Sequence, residues 1–395
     1  MDSLLKKAKG LQRQLIEMRR YLHQHAECGF AVEDTLTYIQ ARLVEMGYTP
    51  QKCGRAGLVA EVGEGDKTIL LRADIDALPI TEKTGLSYAS KNGNMHACGH
   101  DMHTAMLLGA AKLLREEELN GKVRLLFQPA EELLEGAKDC IENGVLNGVN
   151  AAFMVHVLTA FNSTMVGVMV SSEGISAPAA DYFRIILQGQ GCHGSAPWKG
   201  VDALTVAARV VLGLQEINAR ELSPSTPAVL TIGSIQGGEA GNAISDKATL
   251  YGTLRSFDEE ARRFVKERLA CIAKNIARAY RARASVRYEG GCPTFVNDGG
   301  ISLLVEECAK ELLGEKTVAT SKALGGDVRN NSGGSEDFAY ISHAVPSVMA
   351  GLVAGKKEEG YVHPLHHPKV KFDESVLCKG TAIYVSVAQK LLDDT

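Results

Sequence analysis

Three apolar runs in the first half of the chain each end on groups that bind cations or move protons. TILLRADIDALP runs into Asp74 and Asp76, VRLLFQPAEE into Glu131 and Glu132, and AAFMVHV into His156. Short apolar runs bounded by turn signals read as buried strands, and segments such as TAMLLGAAKLLREEEL carry apolar residues at helical spacing between them. Strands alternating with helices predict an α/β fold with a mixed, mostly parallel sheet flanked by helices. In open sheets of that kind ligands bind outside the carboxyl ends of the strands, so the chain is expected to collect its chemistry there. Two further clusters belong to the same set: Cys98, His100 and Asp101 in HACGHD, and His363 and His366 in VHPLHHP.

The pattern changes at Asp181. Strand, helix, strand, strand, helix, strand follow, from DYFRIILQGQ through a helix over 202–222, AVLTIGSIQGG, KATLYGTLRSF and a helix over 258–283 to ASVRYEGG. That is a small α+β, ferredoxin-like unit, and after Cys292 the first pattern resumes. The economical reading is a discontinuous catalytic domain, 1–180 plus 291–395, with 181–290 inserted into it.

Charge narrows the partners. Lys and Arg number 43 against 47 Asp and Glu, a net −4 without long like-charge runs, which gives no field for a nucleic-acid backbone or an anionic membrane. No apolar stretch reaches the roughly 18 residues of a membrane span, and the start, MDSLLKKAKGLQRQLIEMRRYLH, interleaves charge with apolar residues at helical spacing. A cytoplasmic protein is expected. The nine cysteines are an odd number without CxxC pairs, which predicts reduced thiols.

Each donor alone has an ordinary explanation. A histidine at a strand end is usually a hydrogen-bonded structural residue, a lone cysteine a small hydrophobe, and paired glutamates a helix N-terminus. Their recurrence at successive strand ends points to a metal site. Thiolate, imidazole and carboxylate together suit Zn²⁺, and with more oxygen donors also Mn²⁺ or Co²⁺. The one-residue spacing of Cys98 and His100 suits a tight loop in which both face one ion. Paired glutamates can divide labour, one holding metal while the other acts as a general base.

RADIDALP, MHACGHDMHTAMLLGAA, LLFQPAEELLEGAKDCIENG, HGSAPWKGVDAL, GGEAGNAISDKATLYGTLR, SGGSEDFAY and LHHPKVKFDE, in this order, resemble the dinuclear-metal amidohydrolase and carboxypeptidase family. The likeness is greatest to its branch of hippurate hydrolase, auxin-conjugate hydrolases and N-acetyl-amino-acid deacetylases, and it covers nearly the whole chain. It implies two divalent metal ions per chain, Mn²⁺ or Zn²⁺ with Co²⁺ or Ni²⁺ as alternatives, held by Cys98, His100, Glu132, His156 and His366. Glu131 matches the general base that works on a metal-activated water, and Asp76 the acid that orients the site. In the inserted domain, read by the same resemblance as a lid and homodimer interface, His193 matches an oxyanion-stabilising histidine. Asn242 and Arg255 match groups that hold the substrate's backbone and carboxylate, and Gly333, Gly334 and Ser335 offer that carboxylate further donors. His363 stands as a reserve ligand, while His96 and His103 flank the metal loop. The sequence departs from the family pattern at Met102, where glycine is usual, and leaves open whether the larger side chain narrows or reshapes the cleft beside the metals. Ser245 likewise stands in place of a proline.

These implications amount to a cytoplasmic, homodimeric metallo-amidohydrolase acting on N-acyl amino acids. A dipeptidase or carboxypeptidase of the same architecture is the nearest alternative, and a binding descendant without catalysis the one from another class.

Overall fold

The run TILLRAD is buried at every position and forms the strand Thr68–Asp74 (β3), following Gln51–Cys53 (β1) and Gly57–Val62 (β2). A strand with no polar face must be covered on both sides, and β3 pairs in parallel with Lys122–Gln128 (β4) and Val149–Leu158 (β5). The structure is a computed structural model that describes residues 2–160, 169–170, 173–226, 228–319 and 334–394. Its larger sheet runs in the order β1, β2, β4, β3, β5, Ser347–Val353, Met169–Val170. The four strands from β4 to Ser347–Val353 are parallel, and the outer strands join them antiparallel. The expected mixed sheet with a parallel centre is therefore present, and the carboxyl ends of its central strands share one edge.

The helices Asp2–Gly10 (α1), Gln12–Gln24 (α2), Glu33–Glu45 (α3) and His100–Leu114 (α4), with Leu377–Asp393, belong to the same unit. The first two of these run along the start MDSLLKKAKGLQRQLIEMRRYLH, and Leu4 and Leu5 of α1 pack on the core. Almost every residue of α4 is buried, as befits a helix apolar nearly all round. Tyr384, fully buried in Leu377–Asp393, donates to the Arg72 carbonyl at 2.8 Å and accepts from the Val155 N–H at 3.0 Å. One side chain thus fixes β3 and β5 just before their polar ends.

Two compact units are formed: Met1–Ser176 with Val296–Asn331 and Glu336–Thr395, and Ala177–Phe295 with Ser332–Ser335. In the second, four antiparallel strands run in the order Ala228–Gly237, Lys247–Ser256, Ala179–Gln188, Arg283–Cys292. The helices Ala203–Glu216 and Glu259–Ala279 lay Val206, Val210, Leu214, Val265 and Leu269 against Phe183, Ile185 and Leu187 of the sheet. This is the ferredoxin-like arrangement. Both helices start at an aspartate whose carboxylate caps a free N–H, Asp202 to Leu204 at 2.9 Å and Asp258 to Ala261 at 2.7 Å. Caps of this kind contribute about 0.5 to 2 kcal/mol each. The single helix expected over 202–222 relaxes into a π turn at Ile217–Glu221, and the one expected to reach 283 ends at Ala279. No helix of the described residues is long and apolar enough to cross a membrane, and none of the nine cysteines is held in a disulfide.

Candidate active site

The carboxyl ends of β3, β4 and β5 deliver their polar residues to one place. Asp76, two residues beyond β3 and fully buried, accepts the Glu131 N–H at 3.1 Å and the Glu132 N–H at 3.3 Å. It is more than a turn carboxylate before Pro79, because it fixes the backbone of the segment after β4. Its main-chain oxygen lies 2.8 Å from His100 Nδ1, so that nitrogen carries a proton and Nε2 is the ring atom that faces the other donors. Among the described residues His100 Nε2 is buried without a hydrogen-bond partner, 3.9 Å from a Glu131 oxygen and 3.9 Å from Glu132 Oε1, which is likewise buried without one. His156 repeats the arrangement: Nδ1 donates to the Val157 carbonyl at 2.8 Å, and Nε2 lies 3.6 Å from Cys98 Sγ. His366 Nε2 lies 3.4 Å from Glu132 Oε1.

The donor atoms form two sets that share Cys98: Cys98, His100 and His156, and Cys98, Glu132 and His366. Within each set all atoms lie within 4.8 Å of one another. The backbone that presents them is unusual. Gly99, between Cys98 and His100, has φ +85°, Ala130 before the glutamates +55°, and His366 +64°. Left-handed backbone at non-glycine residues costs energy and concentrates at functional sites. Gly99 also starts α4, so His100 is the first residue of a helix and not part of the loop expected to run on to His103. The left-handed glycine turns Cys98 back toward a histidine that a continuous helix would carry away.

Charge in this region is out of balance. Asp74, Asp76, Glu131, Glu132, Glu336 and Asp337 are gathered in or beside it, and Arg72 is the guanidinium buried with them. Arg72 meets Asp74 at 2.8 Å, Glu336 at 3.0 Å and Asp337 at 2.9 Å. Burying carboxylates without compensation is costly. Burial, Glu336 and Glu132 together push the Glu131 carboxyl well above the usual range. Burial and Glu132 push the Cys98 thiol up, but the neighbouring His156, with His100, outweighs them and brings it down to about 6. Orphaned imidazole and carboxylate atoms, a thiol inclined to ionise and a surplus of negative charge fit divalent cations.

The family description of peptidase family M20/M25/M40 matches residues 70–390. The chain belongs to this family. Its relatives include an N-acetyl-L-cysteine deacetylase of Bacillus subtilis, 40% identical over 97% of this chain and 89% of the relative. A thermostable carboxypeptidase of Saccharolobus solfataricus is 34% identical over 99% of this chain and 98% of the relative. Among solved structures, a dinuclear metal binding peptidase of the M20 family from Bacillus subtilis superposes with TM-score 0.79 at 33% identity, covering 98% of this chain and 100% of the other.

In this M20/M25/M40 member the remaining sequence-predicted residues belong to neither donor set. His363 stacks on His367 with centroids 4.2 Å apart and joins neither donor set. His96 is buried, and burial drives its pKa down to about 3. Met102 is fully buried in the core of the first unit, on the first turn of α4. In the second unit His193 and Asn242 are neighbours, because His193 pairs with Ala243 and Gly194 N–H donates to the Asn242 carbonyl at 2.7 Å. His193 Nδ1 is 2.8 Å from Ser195 Oγ. Arg255 lies on the face of the small sheet away from its helices, its guanidinium 5.1 Å from the Tyr182 ring centroid and 3.1 Å from the Tyr182 hydroxyl. Ser335 Oγ is buried without a hydrogen-bond partner among the described residues, Gly334 is exposed, and Gly333 lies outside the described residues. Sequence reasoning gave no role to Arg72, Glu336 or Asp337. The signal was present as two adjacent acids in SGGSEDFAY followed by Phe338, which is fully buried.

Proposed function

We propose that this family member is a metal-dependent amidohydrolase that cleaves N-acyl amino acids to a carboxylic acid and a free amino acid. The observation that carries the reading is the pair of donor sets sharing Cys98, set against the buried Glu131 carboxyl. Two divalent ions, Mn²⁺ or Zn²⁺ with Co²⁺ or Ni²⁺ as alternatives, would be held by Cys98, His100, Glu132, His156 and His366. When bound, such ions supply Lewis acidity toward the amide carbonyl and toward water.

The chain's own residues account for the proton. Glu131 takes it from the attacking water and returns it to the leaving nitrogen, and a carboxyl with raised proton affinity is suited to both transfers. Asp76 holds the Glu131 and Glu132 amides and thereby the direction of both carboxyls. His193 is assigned the oxyanion, Asn242 the substrate backbone, and Arg255, with Gly334 and Ser335, the substrate carboxylate, for which a guanidinium fork is the apt partner. The deacetylase relative supports an N-acyl amino acid as substrate. The carboxypeptidase relative supports a second reading, hydrolysis of short peptides with a free carboxylate.

The free thiols support a cytoplasmic location. A homodimer through the second unit is supported by the edge strand Ala228–Gly237, which exposes Val229 and Ile235 and whose outer side is joined by no strand among the described residues. Replacing Glu131 by Gln tests the chemical reading. Metal content is expected to stay at the wild-type level while kcat falls about 10²- to 10⁴-fold; unaltered turnover would overturn it.

A further inference from the structure

His103 lies three residues after His100 in α4, is fully buried, and has no part in either donor set that shares Cys98; it clusters with Asp74 and His100, but hydrogen bonds occupy the His103 nitrogens and both Asp74 oxygens. Its two ring nitrogens have opposite partners. Nε2 is 2.8 Å from the Val157 main-chain nitrogen, and Nδ1 is 2.6 Å from Asp74 Oδ1. A main-chain amide can only donate, so Nε2 must present a lone pair and the proton must sit on Nδ1, donating to Asp74. Asp74 is fixed in turn, because its other oxygen takes a bond of 2.8 Å from Arg72 Nη1, which also can only donate. One protonation pattern satisfies the whole series from Arg72 through Asp74 and His103 to Val157.

Val157 is where that series reaches the donors. Its carbonyl takes the Nδ1 proton of His156, and its side chain closes on Gly99, where an added Cβ would stand 2.3 Å from Val157 Cγ2. The His103 ring also packs edge-on against the His156 ring, with centroids 4.6 Å apart, and lies 5.4 Å from the His100 ring. We propose that His103, kept in its Nδ1-protonated tautomer by Asp74, is a positioning residue that sets His156 and the Cys98–His100 turn for metal binding. The inference rests on the metal-site reading above and adds to it the residues that hold the ligands in place.

Asp74→Asn tests the tautomer without changing volume. Arg72 keeps the amide oxygen on its own side, which turns the NH₂ toward His103 Nδ1 and drives the ring proton to Nε2, against the Val157 N–H. His103→Gln removes the ring. Chelator-stripped full-length chain is titrated with Co²⁺, following both affinity and the visible d–d spectrum. Each single variant is expected to bind Co²⁺ about 10- to 100-fold more weakly with an altered spectrum. The double variant is expected to be no worse than His103→Gln alone, since Asp74 acts through His103. Wild-type affinity and spectrum in both variants, or losses that multiply in the double variant, would overturn the proposal. A measurement without any variant stands beside these: ¹⁵N imidazole shifts of the metal-free wild type are expected to show His103 protonated at Nδ1 alone, and protonation at Nε2 would overturn it. A wild-type chain that binds no Co²⁺ would contradict the metal-site reading itself, a failure visible before any variant is made.

Discussion

Gly99 shows how little latitude the donor-bearing loop has. Its φ of +85° is one that residues with a side chain seldom adopt, and a Cβ there would overlap Val157 and stand 3.1 Å from the Phe372 ring. Gly99→Ala is therefore expected to destabilise the fold by about 1 to 3 kcal/mol from backbone strain, and to weaken metal binding as well. A thermal melt and a metal titration of the variant check both effects; a lowered melting point with unchanged metal affinity would separate the loop's structural task from its functional one. The sequence carried the residue types at this scale but not their partners. Cys98, His100, Glu131, Glu132, His156 and His366 could be named from composition, order and resemblance, because donor chemistry is a property of the side chain itself. That His100 and His156 each anchor Nδ1 on a main-chain carbonyl depends on backbone distant in sequence, and no local pattern reports it.

The same limit appears where α2 meets α4. Arg19 and His23, one turn apart on α2, converge on Asp101 in the first turn of α4, at 2.7 and 2.8 Å, while Glu82 takes the other nitrogen of His23 at 3.1 Å. These positions lie on a helical stripe that also carries Leu15, Met18 and Leu22, so periodicity alone would assign them to an apolar face. Burial raises the proton affinity of Asp101, but Arg19 and then His23 outweigh it and hold the carboxyl well below the usual carboxylate range. A carboxyl depressed in the folded state contributes stability above its unfolded value of about 3.9 and loses it as pH falls below that. Asp101→Asn is expected to cost about 3 to 5 kcal/mol at neutral pH, because the buried Arg19 loses its nearer carboxylate and keeps only Glu374, at 3.3 Å. It should also flatten the acid limb of the stability curve. Urea unfolding between pH 3 and 7 reads both, and an acid limb as steep as wild type would show that the pair does not set acid stability. The strands, by contrast, were legible as elements, since a run like TILLRAD has no other way to hide its side chains. The start of α4 was not, because the left-handed conformation of Gly99 lets a helix begin inside what reads as a polar loop.

Across the whole molecule, the alternation of strands and helices announced the mixed α/β sheet, and the β-α-β-β-α-β order announced the small antiparallel one. What neither order nor periodicity conveyed was the buried surplus of carboxylates around Arg72, which arises only when the ends of β3 and β4 and the Glu336–Asp337 turn come together. That surplus ties stability to metal: ions bound only by the folded chain stabilise it by about 2.7 kcal/mol at one hundred times their dissociation constant. Calorimetry of chelator-stripped protein should show the unit containing residues 1–176 melting lower than with metal restored, while the separate core of 177–295 melts unchanged. Equal melting with and without metal would contradict that coupling. The central claim is tested most directly by assaying the stripped protein with Mn²⁺, Zn²⁺, Co²⁺ or Ni²⁺ restored in turn, against N-acetyl and N-benzoyl amino acids and dipeptides. The account predicts metal-dependent release of free amino acid from the N-acyl substrates in preference to the dipeptides. Silence across the panel from a chain carrying two bound metals would contradict it.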